Sequence, residues 1–473
     1  MCPHPSARVS RAAVPLTVDW PFDAELLRRH DRPGPRYTSY PTAPHFAAAF
    51  GEDRWRAAIR AGNELPAPKP LSLYVHVPYC ADPCFYCGCN RVITRDAARA
   101  SAYLARLRRE LAGVAPLFDR HRQVVQLHLG GGTPNFVAPA QLAGLIDAVA
   151  TGFTLSPSPD RDISIELDPR HIDADGIAVL ARAGFNRASL GVQDFDPAVQ
   201  AAVNRVQEAD ATLRLIDACR RSGFRSVNVD LIYGLPKQTR AGFARTLAQV
   251  LQARPDRLAI YGYAHMPSLF RAQRQIDAAD LPDAEQRLVL LGLAVETLCG
   301  AGYRYIGMDH FALPDDDLAK AQARGDLHRN FMGYTTHPQT DLVGIGVSAI
   351  SHIGDTYSQN HRDLPAWESA IDAGRLPLWR GIALDADDRL RADVIQGLMC
   401  QGRIDIPAIE QRHDIDFAAT FREALRLLEP LRADGIVEVT ATGIAATRRG
   451  RGLLRAIAQC FDRYLQDARR DAA

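Results

Sequence analysis

The chain of 473 residues predicts an α/β fold: a partial, TIM-like (β/α)6 barrel with an N-terminal extension and a small α-rich C-terminal domain. Three observations carry this reading. Six short β-rich runs alternate with amphipathic stretches of helical period. A ten-residue segment with four cysteines follows the first run, where a barrel places its chemistry. From about residue 379 the sequence turns Arg- and Leu-rich and helical.

The elements follow in order. Runs at 71–77, 124–129, 163–167, 187–192, 227–232 and 257–263 read as strands. Residues 99–111, 139–150, 174–183 and 209–222 carry the apolar spacing of helices. Such alternation winds a parallel sheet right-handedly. A doubly wound open sheet is the alternative topology. A short polar piece near 437–442 reads as a hairpin among the C-terminal helices. The expected division is an extension at 1–65, a barrel at 66–365 and an α-rich domain at 366–473.

Hydrophobic residues make up 47% of the chain and charged residues 23%, which suits a large packed core. Lys and Arg number 56 against 55 Asp and Glu, so the overall field favours neither nucleic acid nor an anionic membrane. No run reaches the ~18 apolar residues of a membrane span. In the first twenty residues the apolar stretch is short and broken by Pro15, which argues against a secretion signal. A cytoplasmic enzyme is expected.

Four of the nine cysteines lie in Cys80-Ala-Asp-Pro-Cys84-Phe-Tyr-Cys87-Gly-Cys89. Ten residues of average density would hold about 0.2 cysteines. Disulfides do not suit so large a chain without a secretion signal. Zinc takes ligand pairs separated by a dozen residues or more, and no partner pair exists elsewhere. Three thiolates on one loop suit three irons of a 4Fe–4S cube and leave the fourth iron open. The alternative is a cluster held by four cysteines, with Cys89 as the fourth. Cys219, Cys299, Cys400 and Cys460 sit in apolar helical patterns and read as buried small hydrophobes.

Further motifs fall at the predicted strand ends. Gly130-Gly131-Gly132-Thr133-Pro134 follows the second strand and lets backbone approach a ligand closely. Glu166 ends the third strand. Gln193 follows the fourth, with Arg205 soon after. Asp230 is a charge inside an apolar strand and needs a partner. Ala264 follows the sixth strand. Gly344 to Ile350 lacks the third glycine and the βαβ setting of a dinucleotide loop.

The C-x3-C-x2-C loop resembles that of the radical S-adenosylmethionine (SAM) enzymes, and Tyr86 fills their aromatic position before the third cysteine. In order, the segments resemble one branch, the oxygen-independent coproporphyrinogen III oxidases. The resemblance runs from about Pro35 to the C-terminus. It rests on Gly34-Pro-Arg-Tyr-Thr-Ser-Tyr-Pro-Thr42, the cysteine loop, Gly130 to Pro134, Asp230 to Gln238, Gly307-Met-Asp-His-Phe311, His328-Arg-Asn-Phe331 and Gly344 to Ser351.

The resemblance implies conversion of coproporphyrinogen III to protoporphyrinogen IX by 5′-deoxyadenosyl radical chemistry. It implies a 4Fe–4S cluster on Cys80, Cys84 and Cys87, and two molecules of SAM. The implied cofactor contacts are Tyr74, Tyr86, Gly131, Gly132, Thr133, Glu166, Gln193, Arg205, Asp230, Ala264 and Ile350. Cys89 is expected to be catalytic. Arg36 and Tyr37 of the N-terminal extension are expected at the substrate. An electron donor such as flavodoxin or ferredoxin, an unidentified acceptor and a monomeric state are expected. The alternative is a haem chaperone of the same superfamily. Cys89 and the segment from Pro35 to Pro41 belong to the oxidase pattern and argue against it.

Overall fold

The computed structural model describes residues 20–471. The reading of the N-terminus as no secretion signal therefore lies almost wholly outside the described residues. The six predicted strands form as β1 (Leu71–Val77), β2 (Val124–Gly131), β3 (Asp162–Leu167), β4 (Arg187–Gln193), β5 (Ser226–Tyr233) and β6 (Arg257–Gly262). All are parallel neighbours in that order. The chief helices are α1 (Ala24–His30), α2 (Ala97–Val114), α3 (Pro139–Gly152), α4 (Ala174–Arg182), α5 (Ala209–Arg221), α6 (Arg240–Ala253), α7 (Ala284–Gly300) and α8 (Ala386–Gln401).

The local sequence explains these choices. In β1 every side chain but Tyr74 is buried, as a strand covered on both faces requires. In α5 the buried Thr212, Leu215, Ile216 and Cys219 repeat at helical spacing and face the sheet. Cys219 is wholly buried, as a small hydrophobe.

The sheet is larger than the six units the sequence predicts. It also contains β7 (Arg304–Gly307), β8 (His310–Ala312), β9 (Asp341–Ile345), β10 (Ile350–Ile353), β11 (Thr356–Asn360) and β12 (Leu378–Ala383). The order is β12-β11-β10-β9-β1-β2-β3-β4-β5-β6-β8-β7. β9 is a seventh parallel strand, pairing Leu71 with Asp341 and Tyr74 with Gly344. β10 and β11 follow β9 antiparallel across short connections, so no helical period announces them, and β12 returns antiparallel to β11 after a helix at Leu364–Asp372. The sheet thus extends to Ala383, past residue 365, where the barrel segment was expected to end. Beyond it lie helices and the expected hairpin, Val437–Val439 against Gly443–Ala446.

The N-terminal segment is a strap. Arg28 reaches Glu285 of α7 at 2.6 Å, and Arg29 reaches Asp434 of the C-terminal domain at 2.9 Å. The Tyr37 hydroxyl donates to Asp462 at 2.9 Å, and Arg463 N–H donates to the Tyr40 hydroxyl at 3.0 Å. The strap therefore binds the barrel to the C-terminal domain.

Two predictions follow from this packing. Arg122 and Asp341 form an ion pair, with side chains 0% and 5% exposed, that closes the foot of β9. Asp341→Ala strands the guanidinium and costs about 3–5 kcal/mol, read as a lower denaturant midpoint. An unchanged midpoint contradicts the closure role. Burial also depresses His328 and His352 from 6.5 to about 4. The unfolded chain takes up those protons first, so stability is full above about pH 6.5 and falls as pH drops toward 4. Each histidine accounts for roughly 1–3 kcal/mol of that loss. The pH dependence of the denaturant midpoint should flatten in His352→Phe, and an identical slope rejects the assignment.

Candidate active site

The carboxyl ends of β1 to β6 converge on one cavity of about 250 Å³. It is bordered by Cys80, Cys84, Tyr86, Cys87 and Cys89 from the loop after β1, and by Gly131, Gly132 and Thr133 at the end of β2. Glu166 of β3, Gln193 of β4, Asp230 of β5 and Arg205 complete its wall. Twelve of the fifteen positions expected for iron, cofactor contact or catalysis, all but Tyr74, Ala264 and Ile350, are thereby gathered from segments up to 150 residues apart in the chain.

The glycine run is required by crowding. A side chain on Gly132 would meet the Pro78 carbonyl oxygen at 2.5 Å, and one on Gly130 would meet the Glu166 carboxylate at 2.9 Å. The missing side chains let Gly131 N–H donate to Glu166 Oε2 at 3.0 Å. His128 Nε2 lies 3.4 Å from the other oxygen. Burial would raise the Glu166 carboxyl, but the His128 and Gly131 contacts outweigh it and hold the group below its ordinary value. Asp230 is hydrogen-bonded only by the neutral Ser189 and Asn228, and burial pushes it up to about 6. Gln193 takes a left-handed backbone conformation, φ 67°, at the end of β4. Such a conformation is uncommon for a residue with a side chain.

The cysteine loop is held from three sides. Arg205 Nη2 donates to the Gly191 carbonyl at 2.6 Å, and Nη1 lies 3.0 Å from Asp168 Oδ2 and 3.5 Å from Cys84 Sγ. Arg170 Nη2 stands 4.0 Å from the same sulfur. Arg91 donates to the carbonyls of Cys84 and Cys87. Thr133 Oγ1 is 3.2 Å from Cys80 Sγ. Gln273 Nε2 donates to the carbonyls of Tyr86 and Ala264, tying the sixth strand's exit to the loop. The Cys89 hydrogen bond holds the Cys87 thiol down at about 6, while burial pushes Cys80 up to about 11.

This donor set fits a 4Fe–4S cluster. Three thiols of one loop face one cavity, and two guanidinium groups beside Cys84 balance thiolate charge. Cys89 borders the same cavity, and its backbone N–H donates to Cys87 Sγ at 3.4 Å.

Five expected residues stand outside the cavity wall. Tyr74 stacks on His128 and meets His76 Nδ1 at 3.0 Å. Ile350 opens β10, its backbone pressed against Gly344. Ala264 is linked to the cavity-lining Tyr86 by Gln273, whose Nε2 donates to both carbonyls. Arg36 pairs with Asp309 and lies 5.5 Å over the ring of Tyr261, which does border the cavity. Tyr37, 2% exposed, faces the C-terminal domain instead. Sequence reasoning missed Asp168, Arg170, His76 and His128. The signal was present: His76 and His128 are polar residues in apolar strands, and Asp168 follows Glu166 in Ser-Ile-Glu-Leu-Asp-Pro.

Comparison with known proteins agrees with this geometry. The Radical SAM superfamily model matches residues 74–250, and the HemN C-terminal domain matches 384–453. The chain is 50% identical to the oxygen-independent coproporphyrinogen III oxidase of Pseudomonas aeruginosa, over 96% of this chain and 98% of that one. It is 48% identical to the Escherichia coli enzyme of the same name, over 96% and 97%. The solved structure of coproporphyrinogen III oxidase from Escherichia coli, described as a radical SAM enzyme, superposes with a TM-score of 0.89. It is 48% identical and covers 94% of this chain and 99% of that one. The strand-end cavity, the three-thiol loop and the full-length likeness place this chain in the oxygen-independent coproporphyrinogen III oxidase family of radical SAM enzymes.

Proposed function

We infer that the chain carries out the oxygen-independent oxidative decarboxylation of two propionates of coproporphyrinogen III, giving the vinyl groups of protoporphyrinogen IX. The observation that carries this is the convergence of Cys80, Cys84 and Cys87 with Glu166, Gln193, Arg205 and Asp230 on one cavity, in a chain alike over its length to oxidases of that name. When bound, the cluster and SAM supply an electron and a 5′-deoxyadenosyl radical that removes hydrogen from the propionate β-carbon.

The chain's own residues bind and orient. Cys80, Cys84 and Cys87 each hold one iron. Glu166 and Asp230 border the cavity as carboxylates suited to accepting from ribose hydroxyls. Arg205, fixed by Asp168 and the Gly191 carbonyl, turns its remaining edge toward a ligand carboxylate; its Nε is buried without a partner among the described residues. Tyr74, Tyr86, Gly131, Gly132, Thr133, Gln193, Ala264 and Ile350 complete the cofactor surround. A second compartment of about 160 Å³ shares Glu166, Ser189, Asp230 and Tyr261 with the first, which supports two SAM molecules. Cys89 serves turnover rather than iron binding. Arg36, beside Tyr261, receives a substrate carboxylate, and Tyr37 anchors the strap that carries it. We assign electron supply to a flavodoxin- or ferredoxin-type donor and a monomeric, cytoplasmic state. No helix among the described residues is long and apolar enough to cross a membrane.

The deciding assay is anaerobic turnover of coproporphyrinogen III with reductant and SAM. Absence of mono- and divinyl products from a fully clustered preparation would favour a haem-binding chaperone. Cys84→Ala should lose iron and the visible absorbance of the cluster, and full iron retention refutes its assignment. Cys89→Ser should keep its iron and lose turnover by at least about 100-fold. Normal turnover there rejects a catalytic role. Asp168→Asn frees Arg205, so equilibrium dialysis should give SAM binding weakened about 10-fold. Unaltered SAM affinity shows that Arg205 needs no such anchor.

A further inference from the structure

Six large apolar side chains are exposed among the described residues: Leu65, Ile93, Val206, Met266, Leu269 and Val289. Scattered singly, such residues need no explanation. Four of these six, however, sit on segments bonded to the cysteine loop. Ile93 pairs with Cys80. Val206 follows a turn whose Asn204 Nδ2 donates to the Pro83 carbonyl at 2.8 Å. Met266 and Leu269, 38% and 72% exposed, belong to one turn after β6, closed by Leu269 N–H on the Met266 carbonyl at 3.0 Å.

That turn is fixed to the cysteine loop twice. Gln273 is 2% exposed and engages both ends of its amide. Nε2 donates to the Tyr86 and Ala264 carbonyls at 2.9 and 3.2 Å, and Oε1 accepts from Met266 N–H. Phe270 lies against the loop itself, because a side chain on Gly88 would meet its ring at 2.9 Å. Gly88 stands between Cys87 and Cys89, which both border the cavity, and Cys89 is exposed. The turn is therefore a rim of the cavity on its Cys89 side. Val206 neighbours the loop at Pro83 instead. Arg274 adds a cation to this rim: its Nε donates to the Pro267 carbonyl at 3.0 Å, within the same turn. No carboxylate pairs with Arg274 among the described residues.

The cavity measures about 250 Å³ and must admit SAM, so the ring of a tetrapyrrole cannot follow its reacting side arm inside. The ring must lie over the mouth. Its body is largely apolar, and its carboxylates stand at the periphery. A seat for it needs an apolar surface with a cation beside it. We propose that Met266, Leu269 and Phe270 form the seat for the tetrapyrrole ring, and that Arg274 receives the carboxylate of a propionate that is not reacting. This rests on the functional reading above. The apolar side chains gain by covering one another and the ring, and the guanidinium supplies charge-assisted donors. Gln273 holds the seat in register with the cysteine loop. An electron-donating protein is the other occupant an apolar patch near a cluster would suit. The position on the Cys89 rim, where substrate must reach the thiol assigned to turnover, favours the tetrapyrrole.

The test uses the clustered holoenzyme with dithionite as reductant, so that turnover needs no protein donor. Conversion of coproporphyrinogen III and fluorescence titration with coproporphyrin III are measured for Met266→Ser combined with Leu269→Ser, for Leu269→Asp and for Arg274→Gln. All of these replace exposed side chains. KM and the coproporphyrin Kd should rise together, about 10- to 100-fold in the double variant. The rise should be about 10-fold in Leu269→Asp, where like charge meets the ligand, and about 3- to 10-fold in Arg274→Gln. Iron content, SAM affinity and kcat should stay within about 2-fold. Wild-type KM and coproporphyrin affinity in the double variant and in Leu269→Asp overturn the proposal. So does a defect that appears only when reduced flavodoxin replaces dithionite, since the patch then seats the donor. Wild-type protein that neither binds nor converts the tetrapyrrole overturns the functional reading and this seat with it, whereas normal conversion by wild type and variants alike overturns the seat alone.

Discussion

The site depends on the guanidinium of Arg205. One side chain bonds the exit of β4 through the Gly191 carbonyl, the turn after β3 through Asp168, and the cysteine loop through Cys84 Sγ. Each partner is an acceptor or a potential thiolate, so a planar cation can join all three at once. A lysine could not span them with the same geometry. Because Arg205 is 7% exposed, these contacts are little weakened by solvent. The loop's position over the sheet is therefore set electrostatically as well as by its attachment to β1.

The interior of the sheet shows the same economy. A barrel core is usually filled by apolar side chains. Here Glu166, His128, Asp230, Ser189 and Asn228 point inward and bond one another. Such a network is tolerable when its members are nearly all satisfied. It leaves space where a packed core would leave none, and it lines that space with hydrogen-bonding groups. The glycines at the end of β2 and just beyond it extend the principle, since their missing side chains admit the Glu166 carboxylate and the Pro78 carbonyl.

The strap and the extended sheet edge make a second environment. β10 and β11 present His352 and Tyr357 to the strap, and α8 closes the far side. The long-range ion pairs of Arg28, Arg29 and Arg455 hold this arrangement from outside. They are exposed, so each is weak by itself. The buried contacts of Tyr37 and Tyr40 do more to fix the segment's path.

By itself the sequence determined the six parallel strands, the helices between them and the cysteine loop after β1. Each rests on local information: hydrophobic period, breaker residues and cysteine spacing. It also named Glu166 and Asp230, because a charge in or at the end of an apolar strand is visible in one dimension, while Arg205 came through the family resemblance. The tertiary structure alone decided the rest. β9, β10 and β11 were hidden, since short strands joined by tight turns leave no helical period. Asp168 and His128 gained their roles only by meeting Arg205 and Glu166 across neighbouring strands. Arg36 found Asp309, and Tyr37 found Asp462, through contacts spanning most of the chain. Such pairings depend on how strands stack and where the chain returns, and no spacing rule encodes them.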